Sequence, residues 1–270
     1  MARRYVARDP RTWKKIGSSA ASIDVNIQGL LPEDGPWQRI PKHEVIPLAR
    51  GNVSSVQISR GKGGSFAVRI DGILALHMVM EESLDNAHEV MLDCLDDDDD
   101  EIRMAALRGL PPLALKRHDG LLQCLSDRLL DENELVCQAA RRCLTLVAPV
   151  FPSGCEEILR RELRRREKNH RKNAFEALRL TAENWPEAGC LHLDELIRED
   201  DVDLRRRGSK ILRTIATRHG STGWDLVGWS LEDEDPQVRR NASGTLVQLA
   251  NTEPAIATIL IEAAMQDDDS

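Results

Sequence analysis

The sequence predicts an all-α fold: an α-solenoid of antiparallel helix pairs that repeat every 34 residues, preceded by an irregular N-terminal arm. Two observations lead to this prediction. A short motif returns at one fixed spacing, and the composition is rich in Leu, Ala, Arg and Glu with only 3% aromatic residues. A fixed internal period is the signature of stacked repeats, and few aromatic residues suit helices that pack aliphatic side chains.

The motif is clearest in residues 101–110, EIRMAALRGL. Ile102 is followed directly by Arg103, then by Ala106 four positions after Ile102 and by Leu110 eight positions after it. Residues spaced by four share one stripe of a helix. Six copies keep this spacing, and their first residues are Val68, Ile102, Val136, His170, Leu204 and Val238.

A second apolar stripe lies 11 and 7 residues before most of these first residues. Each 34-residue unit is therefore predicted to contain two antiparallel helices, joined by an acidic link such as Asp96–Asp100. Carboxylates in that link cap the second helix and oppose the positive end of its dipole. The second helices are predicted to begin near residues 68, 102, 136, 170, 204 and 238.

Residues 1–62 differ from the rest, since they contain five prolines and show no sustained helical period. They carry 11 Lys and Arg against 5 Asp and Glu, whereas the remainder carries 26 against 40. We interpret 1–62 as a basic irregular arm that packs in part on the first repeats. A small independent β-containing domain is the alternative, with residues 22–27, 43–50 and 53–59 as candidate short strands.

Residues 63–270 form the predicted repeat array. Residues 61–65 (GKGGS) resemble half of a phosphate-binding loop but lack its spacing, so Ser65 is interpreted as the N-cap of the first array helix. The copy at Val68 lacks an upstream apolar stripe, so the arm is expected to replace its first helix. A capping helix is predicted at 253–266, and polar terminal units are expected to keep the array soluble.

The motif resembles the HEAT family of repeats, most closely in residues 99–110 (DDEIRMAALRGL) and 233–246 (DEDPQVRRNASGTL). These segments are similar to the HEAT-like repeats also found beside phycobilisome lyases, and the resemblance covers about residues 65–266. Tetratricopeptide repeats share the length, but their Trp, Gly, Tyr and Pro positions are absent here. The resemblance implies a curved binding scaffold; a minority of such arrays bind nucleic acid or carry catalytic activity.

The arginine after the first residue of the motif recurs in five copies, and Cys137 replaces it in the copy at Val136. In HEAT-like repeats this arginine pairs with acids in the turn of the same or the adjacent repeat. The resemblance therefore implies a structural role for the column, which comprises Arg69, Arg103, Arg171, Arg205 and Arg239.

Two sets of cations are candidates for binding a partner. Positions two, six and nine after the first residue of the motif share a face of the second helix, the one that lines the concave side of a solenoid. The candidate binding residues on this face are Arg142, Lys172, Arg179, Arg206, Lys210, Arg213 and Arg240. The second set is Arg164, Arg165 and Arg166, in a turn whose charge is inverted relative to its acidic counterparts.

The inverted turn indicates an anionic partner, either an acidic protein segment or a phosphate backbone. An intramolecular partner, at 96–100 or at 199–203, is an alternative for the turn, and an ordinary solvated helix face is the alternative for the ladder of cations.

No catalytic or metal-binding motif is present, so we expect no cofactor and no metal. Asp96–Asp100 lacks the spaced ligands and central glycine of a calcium loop. The six cysteines include no C-x-x-C pair and are interpreted as buried thiols of a cytoplasmic protein. No apolar run approaches the roughly 20 residues that span a bilayer, and the N-terminus lacks the apolar core of a signal peptide.

Three functions remain open on the sequence. The first is a non-enzymatic scaffold that binds a protein partner, acidic in character if the basic residues form the site. The second is a nucleic-acid-binding module. The third is an enzyme on the same scaffold, like the alkylpurine DNA glycosylases or the bilin lyases, which the resemblance permits. The sequence indicates no membrane partner and no particular oligomeric state.

Overall fold

The computed structural model describes residues 27–59 and 64–266, and within them the chain is mostly helical. It divides into two compact units, the first ending at Val150 and the second beginning at Phe151. Each unit consists of antiparallel helix pairs, as the 34-residue period predicts.

The first unit contains seven described α-helices, a two-stranded sheet and two 3₁₀ segments. The α-helices are α1 (Ile27–Leu30), α2 (Lys42–Ala49), α3 (Arg69–Leu74), α4 (Leu84–Leu95), α5 (Asp100–Ala114), α6 (Leu121–Arg128) and α7 (Glu134–Val147). The 3₁₀ segments are Pro36–Arg39 and Leu76–Val79. Strand β1 (Val56–Gln57) pairs antiparallel with β2 (Phe66–Ala67), and Val56 lies opposite Ala67.

The second unit contains eight described α-helices. They are α8 (Pro152–Leu163), α9 (Lys168–Asn184), α10 (Pro186–Ile197), α11 (Val202–Gly208), α12 (Leu212–Arg218), α13 (Ser221–Leu231), α14 (Pro236–Thr252) and α15 (Pro254–Gln266). A 3₁₀ segment, Ser209–Ile211, joins α11 to α12. The second helices of this unit are thus α9, the composite α11–α12 helix, and α14.

The second helices begin within two residues of the motif's first residue, at Arg69, Asp100, Glu134, Lys168, Val202 and Pro236. Side chains of the acidic links cap several of them. The Asp99 carboxylate accepts the backbone N–H of Glu101 at 2.8 Å, and Asn133 caps α7 through the N–H of Leu135. Such caps satisfy backbone donors that have no partner inside the helix.

The apolar positions of the motif form the core of each unit. Leu144 in the first unit and Leu178 and Leu212 in the second are buried. The small residue of the motif is also buried in every copy, as the close approach of neighbouring helices requires. At Gly72 the space is so tight that an added Cβ would lie 2.8 Å from the Ala49 nitrogen.

Residues 43–50, a candidate strand in the sequence, are helical instead: they lie in α2 and its C-cap, Arg50. Val45, Leu48 and Ala49 lie at helical spacing and are buried, and α2 packs on α3. Burial of that apolar stripe outweighs the cost of Pro47 inside the helix. The candidate strand 53–59 does contain β1, whereas 22–27 lies outside the described residues except for Ile27, the first residue of α1.

Ser65 is not the N-cap of an array helix, contrary to the sequence-based interpretation. The β1–β2 hairpin involves its backbone, because the Ser65 carbonyl accepts the N–H of Ile58 at 2.9 Å. Helix α3 starts four residues later, and the Asp71 carboxylate accepts the Val68 N–H at 2.9 Å. The pairing of the hairpin therefore shifts the start of the helix.

The expectation of a polar terminal unit was wrong for α15. This helix carries one charged residue, Glu262, and its outward face exposes Ile259, Ile261 and Met265. The described part of the array therefore ends on an apolar surface.

We predict that Leu178→Ala lowers the free energy of unfolding by about 2–5 kcal/mol, because it leaves a cavity in a fully buried site. Urea unfolding followed by circular dichroism measures this. Leu191→Ala is the matched control, since Leu191 on α10 is exposed, and it should change stability by less than about 0.5 kcal/mol. Equal effects of the two substitutions would show that the assigned repeat register is wrong.

We predict that deleting residues 1–60 destabilises the first unit. The deletion removes α2 and the buried side chains of Trp37, Ile40 and Leu48, which exposes the apolar surface of α3. A lower melting temperature and a higher urea sensitivity are expected. Unchanged melting would indicate that the arm is a tether that contributes nothing to the array.

Candidate functional site

The arginine column forms a ladder of ion pairs and hydrogen bonds along the turns. Arg103 donates two hydrogen bonds to the Asp131 carboxylate, at 3.0 and 3.1 Å, and Asp131 belongs to the turn of the following repeat. The same guanidinium donates to the carbonyls of Asp97 and Asp98 in its own turn, at 2.7 and 3.0 Å. The Asp131 side chain is only 3% exposed, so this pair is buried and bidentate.

Three other arginines of the column form equivalent ion pairs, and Arg239 donates to backbone carbonyls. Arg69 reaches Asp97 at 2.8 Å, Arg205 reaches Asp233 at 2.9 Å, and Arg171 reaches Asp201 at 3.2 Å and Asp203 at 3.3 Å. Arg239 donates to the carbonyls of Asp233 and Glu234 at 2.6 and 2.8 Å. The structural role implied for the column is confirmed.

The ladder sets the ionisation of its carboxylates. Burial acts to raise the pKa of Asp131, but the Asn133 N–H and the Arg103 guanidinium outweigh burial, so this pKa lies below its ordinary value. The pKa of Asp97 and that of Asp201 are lowered by the same balance, with Arg69 and Arg171 as the guanidinium donors. These aspartates are therefore charged throughout the neutral range.

At the third copy the sequence lacks both members of the ladder pair. Cys137 stands where the arginine recurs, and Arg165 stands 28 residues later, where Arg103 and Arg205 find an aspartate at the same separation. The Cys137 thiol donates to the Asp131 carbonyl at 3.1 Å in its own unit. Arg165 donates to Glu162 at 3.1 and 3.2 Å, and Glu162 is buried.

The basic turn is largely occupied by intramolecular carboxylates. Arg164 donates to Glu199 at 2.6 Å and to Glu195 at 3.2 Å, and Arg160 donates to both oxygens of Glu195. Of the three turn candidates, Arg164 and Arg165 are only partly exposed, and Arg166 alone is exposed. The intramolecular alternative, at residue 199, is thus present for Arg164.

The second helices of the second unit share one exposed surface, which we call the cationic face. It comprises the positions two, six and nine after each first residue, and six of its nine residues are cations while one, Glu176, is acidic. Helices α9, α12 and α14 pack in sequence, so these positions lie in adjacent rows. The nine residues are Lys172, Glu176, Arg179, Arg206, Lys210, Arg213, Arg240, Gly244 and Val247.

Two of the six cations are held by carboxylates. Arg206 pairs bidentately with Asp235, at 2.6 and 3.0 Å. Arg179 pairs with Glu176 at 2.7 Å and also with Glu183. Their charge is therefore largely neutralised within the chain.

The other four cations carry charge that no carboxylate of the described residues neutralises. Lys172, Lys210 and Arg213 are exposed, and no ion pair among residues 27–59 and 64–266 holds them. Arg240 contacts only the neutral Gln237, at 3.3 Å. In the first unit, the candidate Arg142 is exposed and lies 3.5 Å from Glu33.

Asp235 is a residue of this site that the sequence reasoning did not select. Its carboxylate caps α14 through the N–H groups of Gln237 and Val238, at 3.0 and 3.2 Å, while it binds Arg206. The Arg206 guanidinium, with these N–H groups, lowers the pKa of Asp235 to about 2. The available signal was Asp235 directly before Pro236, because proline favours the first helical position and aspartate the N-cap before it.

The rows of the cationic face are fixed by a partly buried polar contact. Asn241 on α14 donates to the Ser209 hydroxyl at 2.8 Å and to the Arg206 carbonyl at 3.3 Å. This contact aligns Arg240 with Arg206 and Gly244 with Lys210. Val247 then lies in the row of Arg213.

The described residues supply no constellation for metal chemistry, since no group of three or more His, Cys, Asp or Glu side chains is placed to hold an ion. All six cysteines are free thiols, and burial raises the pKa of Cys94 to about 11 and that of Cys155 to about 12. No helix in the described ranges combines the length and the apolar character needed to cross a membrane.

Comparisons with known proteins support the fold assignment. No protein-family model and no curated protein matches the sequence. Among solved structures, importin beta aligns over 83% of this chain and 32% of its own, with 14% identity and a TM-score of 0.52. The archaeal HEAT-like repeats protein from Thermococcus onnurineus NA1 aligns over 84% of this chain and 98% of its own, with 15% identity and a TM-score of 0.46.

The fold and the arginine ladder define this chain as an α-solenoid of helix pairs linked through their turns. Its helical-repeat fold is similar to that of importin beta, in agreement with the solenoid that the sequence motif predicted.

We predict that stability falls as the pH drops from 3.8 towards about 2. The pKa of Asp235 is about 2 in the folded chain against an ordinary value of 3.8, so its stabilising contribution is present above pH 3.8. It is lost as the pH falls towards about 2, because the unfolded chain then binds a proton that the folded chain does not. Thermal melts between pH 2 and pH 7 measure this. Asp235→Asn should make the decline shallower, whereas Asp225→Asn, at an exposed position of α13, should not. Identical pH profiles for Asp235→Asn and the parent would contradict the assignment.

Proposed function

We propose that this chain is a non-enzymatic HEAT-like scaffold that binds an acidic protein segment on the cationic face of its second unit. The observation that supports this most is the exposed, uncompensated charge of Lys172, Lys210 and Arg213 on a chain with a net charge of −8. Uncompensated cations attract anionic partners and accelerate their association.

The distribution of the remaining charge supports the choice of this face. The arginines of the turns are occupied by the ladder, and Arg164 and Arg165 are occupied by Glu199, Glu195 and Glu162. On the cationic face, Lys172, Lys210 and Arg213 are exposed and are held by no ion pair of the described residues. On a curved array it corresponds to the concave side.

An acidic protein is favoured over nucleic acid by the charge of the repeat array. Residues 63–270 carry 40 acidic residues against 26 basic residues, which opposes close approach of a long phosphate backbone. A short acidic segment needs to meet only the face itself. Nucleic acid is kept as an explicit outcome of the test.

The test uses the full chain and the double variant Lys210→Glu/Arg213→Glu. Both side chains are exposed, so the free energy of unfolding of the variant should lie within about 0.5 kcal/mol of that of the parent. Affinity capture followed by identification of the bound protein, then titration with that purified protein, should show at least about a tenfold loss for the variant. Arg166→Glu is the matched control, because Arg166 is exposed but lies in the turn before α9, and it should retain parental affinity.

The salt dependence distinguishes the partner classes. Duplex DNA releases counterions and gives a log–log slope of about −0.9 per phosphate contact. Binding to a 20-base-pair duplex or a single strand with such a slope, and lost in the double variant, would assign the face to nucleic acid. Parental affinity of the double variant for its protein partner would remove the face as the binding site.

A further inference from the structure

The cationic face changes character across its width. On α9 and the composite α11–α12 helix it is basic, whereas on α14 the corresponding positions six and nine are Gly244 and Val247. Val247 is 69% exposed, so it adds an apolar contact surface at the edge of the charged rows.

Gly244 packs against no neighbouring helix in the part of the chain that the structure describes. An added Cβ at this position would meet no atom within 4 Å, in contrast to Gly189 and Gly223, where it would clash with the neighbouring helix. Its backbone is helical with no positive φ. Glycine inside a helix is destabilising relative to alanine, and here nothing in the structure of the chain offsets that loss.

A glycine at an exposed helix position exposes the backbone itself to close approach from outside. Gly244 lies between Arg240 and Val247 at positions i, i+4 and i+7 of α14, so the three form one stripe. The stripe consists of a cation, a shallow depression and an exposed aliphatic side chain. A bulky apolar side chain of a partner can sit in that depression against Val247.

We infer that the partner segment carries an apolar residue about three positions from an acidic residue, the acid bound by Lys210 and Arg213 and the apolar residue seated on Gly244 and Val247. This inference rests on the proposed function and specifies its ligand. Packed helices lie 8–10 Å apart, and an extended or polyproline-type chain advances about 3.1–3.4 Å per residue. One helix-to-helix step therefore spans about three residues.

The geometry also gives the order of the contacts. The Asn241–Ser209 hydrogen bond holds Gly244 in the row of Lys210 and Val247 in the row of Arg213. A segment that crosses from the composite helix to α14 thus passes from two uncompensated cations to an apolar depression. A purely acidic segment would leave Val247 exposed, and a purely apolar one would leave Lys210 and Arg213 without a partner.

The test measures binding of labelled 14-residue peptides to the full chain by fluorescence anisotropy at 0.1 M salt. At this concentration the Debye length is about 10 Å, so charges in direct contact still attract one another. The first peptide contains two acidic residues with a leucine three positions after them. The second replaces that leucine with serine, and the third keeps the composition but places the leucine next to the acids. The first peptide should bind at least about tenfold more tightly than the other two, the difference expected for one buried aliphatic side chain.

Gly244→Ala is the decisive variant because the two effects have opposite directions. Alanine should leave the melting temperature unchanged or raise it, since the helix gains stability and no clash arises. The substitution should nevertheless lower the affinity for the first peptide by at least about fivefold. Ser243→Ala, the adjacent exposed position off the stripe, is the matched control and should bind as the parent does.

The outcomes separate this inference from the function on which it rests. If Lys210→Glu/Arg213→Glu abolishes binding of all acidic peptides while Gly244→Ala and the serine peptide behave as the parent, the apolar seat is wrong and the proposed function stands. If none of the peptides binds and the double variant retains its protein partner, both are wrong. Weaker binding of the first peptide by a folded Gly244→Ala variant would support the apolar contact at Gly244 and Val247.

Discussion

The arginine–aspartate ladder is the interaction on which the rest of the structure depends. Each second helix must begin with its N-terminal donors satisfied, and each turn must hold several carboxylates close together at the surface. Asp99 meets the first requirement, because its carboxylate accepts the Glu101 N–H. Arg103 meets the second, because it neutralises Asp131 and donates to the carbonyls of Asp97 and Asp98. The acids that would otherwise repel one another become part of the connection between repeats.

Because the turn charges are neutralised by the column, the surfaces of the second helices can vary without affecting the fold. A first residue, an arginine, a small residue and a leucine occupy the positions that face inward or towards the turn. In the second unit, positions two, six and nine are half-buried or exposed and contribute little to packing. Six of these nine residues are cations, whereas the equivalent six positions of the copies at Ile102 and Val136 hold two cations, Arg108 and Arg142.

The fold was predictable because its determinants repeat. The motif recurs at 34-residue intervals, so an atypical residue in one copy does not obscure the pattern that the other copies share. The helix pairs and the buried leucines could therefore be assigned from the sequence. Residues 43–50 and Ser65 were misassigned because each occurs once. Burial of Val45 and Leu48 outweighed the helix-breaking effect of Pro47. Pairing of the two-residue strands β1 and β2 placed the start of α3 after Ser65.

The candidate site was predictable in position but not in charge state. Helical spacing placed Lys172, Arg179, Arg206, Lys210, Arg213 and Arg240 on one face. Which of them carry uncompensated charge depends on rotamers and on neighbours about 30 residues away, such as Asp235 for Arg206. The same limitation applies to Arg164, whose carboxylates at 195 and 199 lie on the next helix pair.

The third copy shows how a repeat protein can change one connection without losing its period. Replacing only the arginine by Cys137 would leave an aspartate without a partner, a costly change where the site is buried. Here the position 28 residues later is Arg165, which is satisfied by Glu162 on its own helix pair, and the Cys137 thiol is satisfied by the carbonyl of Asp131. Neither the Cys137 thiol nor Arg165 is left without a partner. The loss of one ladder pair accounts for Arg165 in the basic turn, whereas Arg164 is held by Glu195 and Glu199 and Arg166 is exposed.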